Sequence, residues 1–138
     1  MKAQPMIAVR DVPASARFYM DLLGAVSGHG GDEYEQLLVA GRLVLQLHDC
    51  RPDANHGPLR DGDIRPGNGV ILWFVTDDFE AQIKRVLDMK VSLDREPAMN
   101  PFSRSMELWL HDPDGYQVVI AGPSAWEHKR GDSIAANP

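Results

Sequence analysis

A chain of 138 residues is long enough to bury one hydrophobic core but too short for two independent domains. With 43% hydrophobic and 25% charged residues, its composition is that of an ordinary globular domain and excludes a disordered or collagen-like chain. Its net charge of −6 argues against a nucleic-acid partner, because binding to phosphates depends on clustered lysine and arginine.

Targeting signals and cysteine pairs are not evident in the sequence. No apolar run reaches the roughly 20 residues that a membrane-spanning helix needs, and the first residues lack the apolar core of a signal peptide. We therefore expect no membrane partner and a cytoplasmic location. The single cysteine, Cys50, has no second cysteine to pair with, so we interpret it as structural.

The chain begins with a strand pattern followed by a helix pattern. Residues 6–12 are rich in β-branched and apolar side chains, which predicts a strand. Residues 14–24 repeat apolar side chains at helical spacing up to a terminal glycine, which predicts a helix. Pro13 fits the first turn of this helix, where a missing N–H costs little, and Gly24 fits its end.

Three strands are predicted to complete the first half. The glycine-rich stretch 25–33 predicts a short edge strand and a loop. Residues 34–49 predict two strands joined by a hairpin at Ala40-Gly41, since glycine adopts positive φ readily. Residues 50–68 are dense in Pro, Gly, Asp and Asn without a periodic apolar pattern, which predicts a linker or mobile loop.

The same order of elements returns after the linker. Residues 69–77 predict a strand, and residues 78–90 predict a helix with Asp78 as its N-cap. A short strand and a loop follow. Residues 105–122 then predict two strands joined by the turn Asp112-Pro113-Asp114-Gly115, where proline fixes φ and glycine permits the reversal.

The two halves indicate an internal duplication of a βαβββ unit. The alignment of the halves rests on matching Val9-Arg10-Asp11 to Val75-Thr76-Asp77. We therefore expect an α+β fold made of two modules in one domain. The predicted boundaries are 1–122 for the domain, 4–49 and 69–122 for the modules, 50–68 for the linker and 123–138 for a tail that is either docked or frayed.

Three phrases in this order, VRDVPASARFYMDLLG, VILWFVTDDFEAQIKRV and HDPDGYQVVI, resemble the vicinal oxygen chelate superfamily over roughly residues 4–122. That superfamily includes glyoxalase I, bleomycin-resistance proteins, fosfomycin-resistance enzymes and extradiol dioxygenases. The resemblance implies two βαβββ modules whose strands curl into an open half-barrel cleft, commonly completed by dimerisation. It does not determine the function, because this fold hosts several kinds of enzyme and also non-catalytic binders.

The resemblance also implies metal ligands on the first and fourth strands of each module. The corresponding positions are Gln4 and Gln46 in the first module and Val70 and Val119 in the second. Divalent cations need carboxylate, thiolate or imidazole ligands to replace their hydration, and valine cannot coordinate at all. We therefore predict that the inherited metal site is lost, and we expect no metal and no cofactor.

A relocated metal site is left open as an alternative. His48 lies two residues beyond Gln46 and therefore on the same face of its strand. Glu107 is a further candidate facing the cleft. Together with Gln4, these side chains form the ligand set of a rival hypothesis.

Strand alternation, counted from the implied ligand positions, predicts which side chains line the cleft. Val44 is expected to share an inward row with Gln46. Leu72 and Phe74 are expected to share one with Val70. The predicted ligand-binding residues are Gln46, His48, Leu72, Phe74, Glu107, Trp109, Gln117 and Val119. This mixture of apolar, aromatic and hydrogen-bonding groups is typical of a small-molecule pocket.

Individual side chains in this set carry more specific predictions. Trp109 is expected either to stack on a planar ligand or to be a core residue, and Glu107 to hold a cationic or N–H-bearing group over its ring. Trp73 is expected to pack beneath a helix. His48 titrates in the range useful to a general base, but the sequence shows no group to orient it, so no catalytic residue is predicted.

The sequence thus predicts a metal-free small-molecule binding protein that resembles bleomycin-resistance proteins and sequesters an aromatic or partly cationic compound in an apolar cleft. The main alternative is a glyoxalase-like, metal-dependent lyase or isomerase with a non-standard ligand set. A third hypothesis is a subunit that serves only assembly. A homodimer is expected, because an open curved sheet of one short chain does not close on itself.

Overall fold

The computed structural model describes residues 2–51, 57 and 59–125, which form eight strands and two helices. In chain order the elements are β1 (Met6–Val9), α1 (Val12–Leu23), β2 (Val26–His29), β3 (Tyr34–Val39), β4 (Arg42–Asp49), β5 (Ile71–Val75), α2 (Phe79–Met89), β6 (Leu93–Asn100), β7 (Ser105–His111) and β8 (Gln117–Ala121). The α+β class and the two successive βαβββ units predicted from the sequence are confirmed.

Both helices begin at an aspartate that caps the first turn. The carboxylates of Asp11 and Asp78 each accept a hydrogen bond from the backbone N–H three residues further on, at 2.8 and 3.0 Å. Pro13 lies in the first turn of α1, and Gly24 ends that helix in the left-handed conformation, with a φ of 66°. The predicted roles of Pro13, Gly24 and Asp78 are confirmed.

Each module forms its own four-stranded mixed sheet. Sheet 1 has the strand order β1-β4-β3-β2, and sheet 2 has the order β5-β8-β7-β6. In both sheets the first and fourth strands of the module pair in parallel, whereas the remaining pairs are antiparallel. Side chains from the first and fourth strands of a module therefore lie next to each other.

One hydrophobic core joins the two modules. The helices α1 and α2 contact each other, and buried side chains from both sheets belong to the same cluster as those of the helices. Its fully buried members include Tyr19, Leu22, Leu37, Leu45, Leu47, Leu108, Leu110 and Val118. Each sheet consequently has one face toward this core, here called its core face, and an opposite side, here called its open face.

The structure corrects the alignment of the two modules by one residue. Because Asp11 and Asp78 cap equivalent helices, Asp11 corresponds to Asp78 and not to Asp77. The strand pairings give the same result. In sheet 1, Gln46 pairs with the residue two positions after Gln4. In sheet 2, Val119 pairs with Trp73, so the position equivalent to Gln4 is Ile71, two residues before Trp73. The error arises at the doublet Asp77-Asp78, where the second aspartate caps the helix. Ile71, rather than Val70, occupies the fourth implied metal position.

A β-bulge in sheet 1 changes which side chains of β4 lie on its open face. The pairing of β3 with β4 shifts between Leu37 and Leu38, which leaves Val44 as the extra residue of β4. Val44 packs against the core, so its predicted place in the cleft-facing row with Gln46, on the open face, is wrong. The hairpin predicted at Ala40-Gly41 is confirmed, since both residues adopt positive φ, at 49° and 73°.

The turn between β7 and β8 connects the second module to the first. Asp112 Oδ1 accepts hydrogen bonds from the backbone N–H groups of residues 114–116 at 2.8 to 2.9 Å, and its Oδ2 accepts one from the Tyr19 hydroxyl at 2.8 Å. The Tyr116 hydroxyl donates to the carbonyl of Ala8 in β1 at 2.9 Å. Burial raises the pKa of both Asp112 and Tyr19.

A second carboxylate of the same turn reaches the start of α1. Asp114 Oδ1 accepts hydrogen bonds from the backbone N–H and the Nε of Arg10, at 3.1 and 2.9 Å, and lies 3.3 Å from Arg60 Nη1. The Asp114 side chain is almost fully buried. The turn predicted from hairpin chemistry alone therefore also holds the modules together.

Neither helix within the described ranges has the length and apolar character needed to cross a membrane. The predicted tail, 123–138, lies outside the described residues except for 123–125.

Candidate functional site

The open face of sheet 2 carries four of the eight predicted ligand-binding residues, Glu107, Trp109, Gln117 and Val119. Trp73, Val119 and Trp109 lie side by side across β5, β8 and β7. The two indole rings meet edge to face, with centroids 6.1 Å apart and planes at 85°. Gln117 and Glu107 lie on the same face, two residues away along their strands. We call Trp73, Val119 and Trp109 the aromatic row.

The predicted positions of three β5 side chains are wrong. Leu72 and Phe74, expected to line the site, lie on the core face, where Leu72 is buried and Phe74 packs against the core cluster. Trp73, expected beneath a helix, lies on the open face with 42% of its surface exposed. The one-residue error in aligning the modules causes all three misplacements, because successive side chains of a strand point to opposite faces.

Val119 is fully buried although it lies on the open face, because the tryptophans flank it on both neighbouring strands. This is the position where the resemblance implies a carboxylate. A charged group placed among apolar side chains without a partner loses its hydration. Valine instead packs with the indole rings, while the preceding turn is retained because it connects the modules.

Hydrogen bonds occupy both carboxylate oxygens of Glu107. Asn100 Nδ2 donates to both oxygens, at 3.0 and 2.9 Å, and Trp109 Nε1 donates to Oε2 at 3.0 Å. The hydroxyls of Ser103 and Ser105 donate to Oε1. Burial by itself raises the pKa of Glu107, but these hydrogen bonds outweigh it and lower the pKa below its ordinary value. Glu107 is therefore an ionised group that orients the Trp109 ring.

Arg95 occupies one face of Trp109. Its guanidinium carbon lies 4.7 Å from the ring centroid, which is cation–π geometry. The prediction that Glu107 holds a cationic ligand group over this ring assumed that both the carboxylate and the ring face were available. Protein groups already take up the carboxylate oxygens and one face of the ring.

Gln117 belongs to a small polar group at the end of the aromatic row. Its Nε2 donates to Asp94 Oδ2 at 3.0 Å and to the carbonyl of Leu110 at 3.1 Å. Asp94 Oδ2 also lies 2.7 Å from His111 Nδ1. The carboxylate of Asp94 is thus shared between an amide and an imidazole.

The open face of sheet 1 holds a separate, polar cluster. The Tyr34 hydroxyl donates to Gln46 Oε1 at 2.5 Å and accepts from Gln36 Nε2 at 2.9 Å. Gln46 Nε2 donates to the backbone carbonyl of Gln4 at 2.9 Å. The His48 ring lies 6.0 Å from the Tyr34 ring. The structure therefore groups the predicted residues Gln46 and His48 together, but on a different sheet from the aromatic row.

The residues at the four implied metal positions do not fit a metal ion. They are the neutral amides of Gln4 and Gln46 and the hydrocarbon side chains of Ile71 and Val119. Within the described ranges, no three His, Cys, Asp or Glu side chains are grouped so that they could hold a metal ion. The inherited positions thus lack the anionic or imidazole donors that a divalent cation needs.

The ligand set of the rival hypothesis is divided between the sheets. Gln4 precedes β1 and His48 lies in β4 of sheet 1, whereas Glu107 lies in β7 of sheet 2. Both oxygens of Glu107 already accept hydrogen bonds from protein donors. Among these three side chains, His48 and Glu107 carry the imidazole and carboxylate donors that divalent cations prefer, whereas Gln4 offers a neutral amide.

Sequence reasoning missed three residues of these faces, for different reasons. Trp73 was assigned to the wrong face, and aligning the modules on the Asp78 cap would have placed it beside Val119. Arg95 lies in β6, whose pairing with β7 contains two register shifts, so alternation along that strand does not predict its direction. Tyr34 starts the strand β3, and its face follows only from the pairing with His48.

Solved structures with the same fold resemble this chain at low sequence identity. They include an integron cassette protein from the mobile metagenome of V. cholerae (22% identical, TM-score 0.67, covering 90% of this chain and 98% of that one) and lactoylglutathione lyase from Agrobacterium tumefaciens (19%, 0.66, 92% and 97%). A bleomycin-binding protein complexed with bleomycin is 17% identical, with a TM-score of 0.64 and coverage of 90% and 99%. At these identities the likeness shows the fold alone.

No curated protein sequence matches this chain at a significant level. The model of the Glyoxalase/Bleomycin resistance protein/Dioxygenase superfamily matches residues 3–120, which include both βαβββ modules and every residue of the aromatic row. By this match, the chain belongs to the Glyoxalase/Bleomycin resistance protein/Dioxygenase superfamily.

Proposed function

We propose that this protein binds a small aromatic compound on the open face of sheet 2 and sequesters it without transforming it. The observation that carries the proposal is the aromatic row, in which two indole rings are held over a buried valine on an otherwise open sheet face. Indole rings supply a large apolar contact area and favourable edge-to-face or offset contacts with planar molecules.

The preorganisation of Trp109 supports a binding role. Its Nε1 donates to Glu107, and its ring is flanked by Trp73 and by the guanidinium of Arg95. A ring that is already fixed loses little conformational entropy when a ligand binds. The contacts of Trp109 thus favour a recognition surface over a flexible surface residue.

Family membership and fold are consistent with this role. The similar bleomycin-binding protein binds a small molecule, bleomycin, in its solved complex. We propose a small-molecule ligand for this chain as well. Within that class, we favour an aromatic compound over a cationic one, because Arg95 and the donors around Glu107 leave no free carboxylate above Trp109.

A metal-dependent lyase or isomerase, the rival function, draws no support from the geometry. Its chemistry would need a Lewis acid, and the implied positions offer two amides and two hydrocarbon side chains. We therefore propose binding without metal-dependent catalysis, in the cytoplasm.

A homodimer is proposed as the binding state. The strand β5 lies at the edge of sheet 2 and exposes Ile71, Trp73 and Val75 on its open face. An exposed apolar edge of this kind is usually covered by another chain. Light scattering is expected to give the mass of two chains, and a monomer at micromolar concentration would count against this assembly.

The binding proposal is tested by titrating the protein with a panel of planar aromatic compounds. In a Trp126→Phe background, the emission comes from Trp73 and Trp109, and binding is expected to change it. Calorimetry is expected to show that Trp109→Leu weakens binding of the same compounds by about tenfold, because stacking contacts are lost. Phe18→Leu, a similar change in α1, serves as the matched control and is expected to bind like the parent protein.

Metal dependence is tested on the same protein. Thermal unfolding in the presence of nickel, zinc, manganese or EDTA is expected to show no shift, and elemental analysis to show no stoichiometric metal. An increase in unfolding temperature with one of these cations, together with unchanged binding of the aromatic compounds by Trp109→Leu, would contradict the proposed function and favour the rival one.

A further inference from the structure

A cavity of about 600 Å³ adjoins the aromatic row at the end of sheet 2. One wall is the loop 64–70 that enters β5, and the other is the end of the sheet. The residues on which the inference rests are Arg65, Val70, Ile71, Trp109, His111 and Gln117. We call this space the loop cavity.

The loop that forms one wall has a defined shape. The Val70 backbone N–H donates to the Gly67 carbonyl at 2.9 Å, which closes a turn, and Gly69 within it has a φ of 79°. Gly67 has a φ of 80°, and a Cβ at this position would lie 3.3 Å from the Cα of Tyr116. The loop is therefore packed closely against the turn that connects the modules, and the loop cavity is preformed.

The charges around the loop cavity favour an anion. Arg65 is an exposed residue of the cavity lining, and its guanidinium has no hydrogen-bond or ion-pair partner within the described part of the chain. None of the described residues lining the cavity is acidic, although the chain as a whole carries a net charge of −6. The neighbouring carboxylate of Asp94 does not line the cavity; it accepts a hydrogen bond from Gln117 and lies 2.7 Å from His111 Nδ1.

Apolar side chains contribute to both walls of the loop cavity. Trp109, Ile71 and Val70 belong to its lining and provide aromatic and aliphatic surface. Pockets for small organic molecules combine such apolar walls with a few polar groups that determine orientation. Arginine suits the polar role, because its planar guanidinium forms two parallel hydrogen bonds to a carboxylate.

We infer that the loop cavity binds a small aromatic carboxylate whose ring lies against Trp109 and Ile71 and whose anionic group pairs with Arg65. This inference rests on the proposed function and adds the charge of the ligand to it. Within this site, Trp109 contributes affinity for any planar compound, whereas Arg65 discriminates between anionic and neutral compounds of the same shape.

Three probes of equal shape and different charge test the inference by calorimetry: naphthalene-2-carboxylate, naphthalene-2-carboxamide and naphthalene-2-carboxamidine. The parent protein is expected to bind the carboxylate about tenfold more tightly than the carboxamide and to bind the amidine most weakly. Arg65→Gln is expected to abolish this preference, so that the carboxylate and the carboxamide bind about equally, whereas Arg65→Lys is expected to keep part of it. Arg17→Gln, which removes the same charge from the exposed side of α1, is the matched control and is expected to keep the full preference.

The possible results separate this inference from the proposed function. Equal binding of carboxylate and carboxamide, or a preference that survives in Arg65→Gln, overturns the anion inference but leaves aromatic binding intact. Failure of all three probes, while another aromatic compound gives a Trp109-dependent signal, also overturns the anion inference alone. Failure of every compound in the aromatic panel overturns both. Since Arg65 is exposed and makes no contact with a described hydrogen-bond partner, its substitution is expected to leave the unfolding temperature unchanged, which unfolding scans will verify.

Discussion

At position 119 a valine lies between two indole rings, where the resemblance to related proteins implies a carboxylate. The loss of the acid is understandable from its neighbours, since Trp73 and Trp109 would surround a charge with apolar surface. The carboxylate of this face is instead Glu107, one row further along the sheet, where four side chains donate to it. A single residue thus marks the change from a coordination site to an aromatic surface.

Glu107→Gln is predicted to destabilise the protein by about 1–3 kcal/mol at pH 7, because an amide nitrogen would replace an oxygen that accepts hydrogen bonds. The folded-state pKa of Glu107 lies below its ordinary value of 4.5, so its stabilising effect is complete above pH 4.5 and is lost as the pH falls through the folded-state pKa. The difference between parent and variant is therefore expected to shrink in urea unfolding at pH 3. Glu96→Gln, an exposed change on β6, is the control, and a Glu107→Gln difference that is constant with pH would contradict the assignment.

At the scale of elements, turns and caps decide where side chains point. Asp78, as the second of two consecutive aspartates, sets the start of α2 and with it the register of the second module. The bulge in β4 turns Val44 inward, and the loop 64–70 forms a wall of the loop cavity because two of its glycines adopt positive φ. Local backbone geometry therefore positions the site as much as the sheets do.

Three glycines of the linking loop separate the effects of φ and of space. Gly62→Ala is predicted to change stability by less than about 0.5 kcal/mol, because its φ is ordinary and its surroundings are open. Gly69→Ala is predicted to cost about 1 kcal/mol for its positive φ alone. Gly67→Ala combines positive φ with close approach to Tyr116 and is expected to cost the most. Urea midpoints measure the order, and equal midpoints for Gly67→Ala and Gly62→Ala would refute this account of the loop.

At the scale of the whole molecule, the two modules behave as one structural unit. They share a single core, and the turn between β7 and β8 adds hydrogen bonds from Asp112 to Tyr19 and from Tyr116 to Ala8. The helices α1 and α2 also contact each other where the modules meet. Cooperative folding is the expected consequence.

A core substitution in the first module is therefore predicted to destabilise the second. Leu45 is fully buried in sheet 1, and Leu45→Ala is expected to cost about 2–5 kcal/mol for lost contacts and a cavity. In the Trp126→Phe background, tryptophan emission reports on sheet 2 alone, and its transition is expected to move together with that of the far-ultraviolet circular dichroism. An emission transition that stays in place while the dichroism shifts would show that the modules unfold independently.

The sequence by itself determined the βαβββ repeat, the helix ends at Pro13, Gly24 and Asp78 and the hairpin at Ala40-Gly41. These features depend on local chemistry: apolar periodicity, capping side chains and residues that tolerate positive φ. It also predicted that Glu107, Trp109, Gln117 and Val119 face the same way, and these four side chains do lie on one face of sheet 2.

Only the tertiary structure decided which way individual side chains point and what they contact. Successive side chains of a strand point to opposite faces, so a one-residue error in aligning the modules assigned Trp73, Leu72 and Phe74 to the wrong faces of sheet 2. A single bulge likewise placed Val44 on the core face of sheet 1. The hydrogen bonds of Glu107, the contact of Arg95 with Trp109 and the cavity beside Arg65 join groups from separate strands and loops. Such contacts depend on register and packing between distant segments, which periodicity within one segment does not encode.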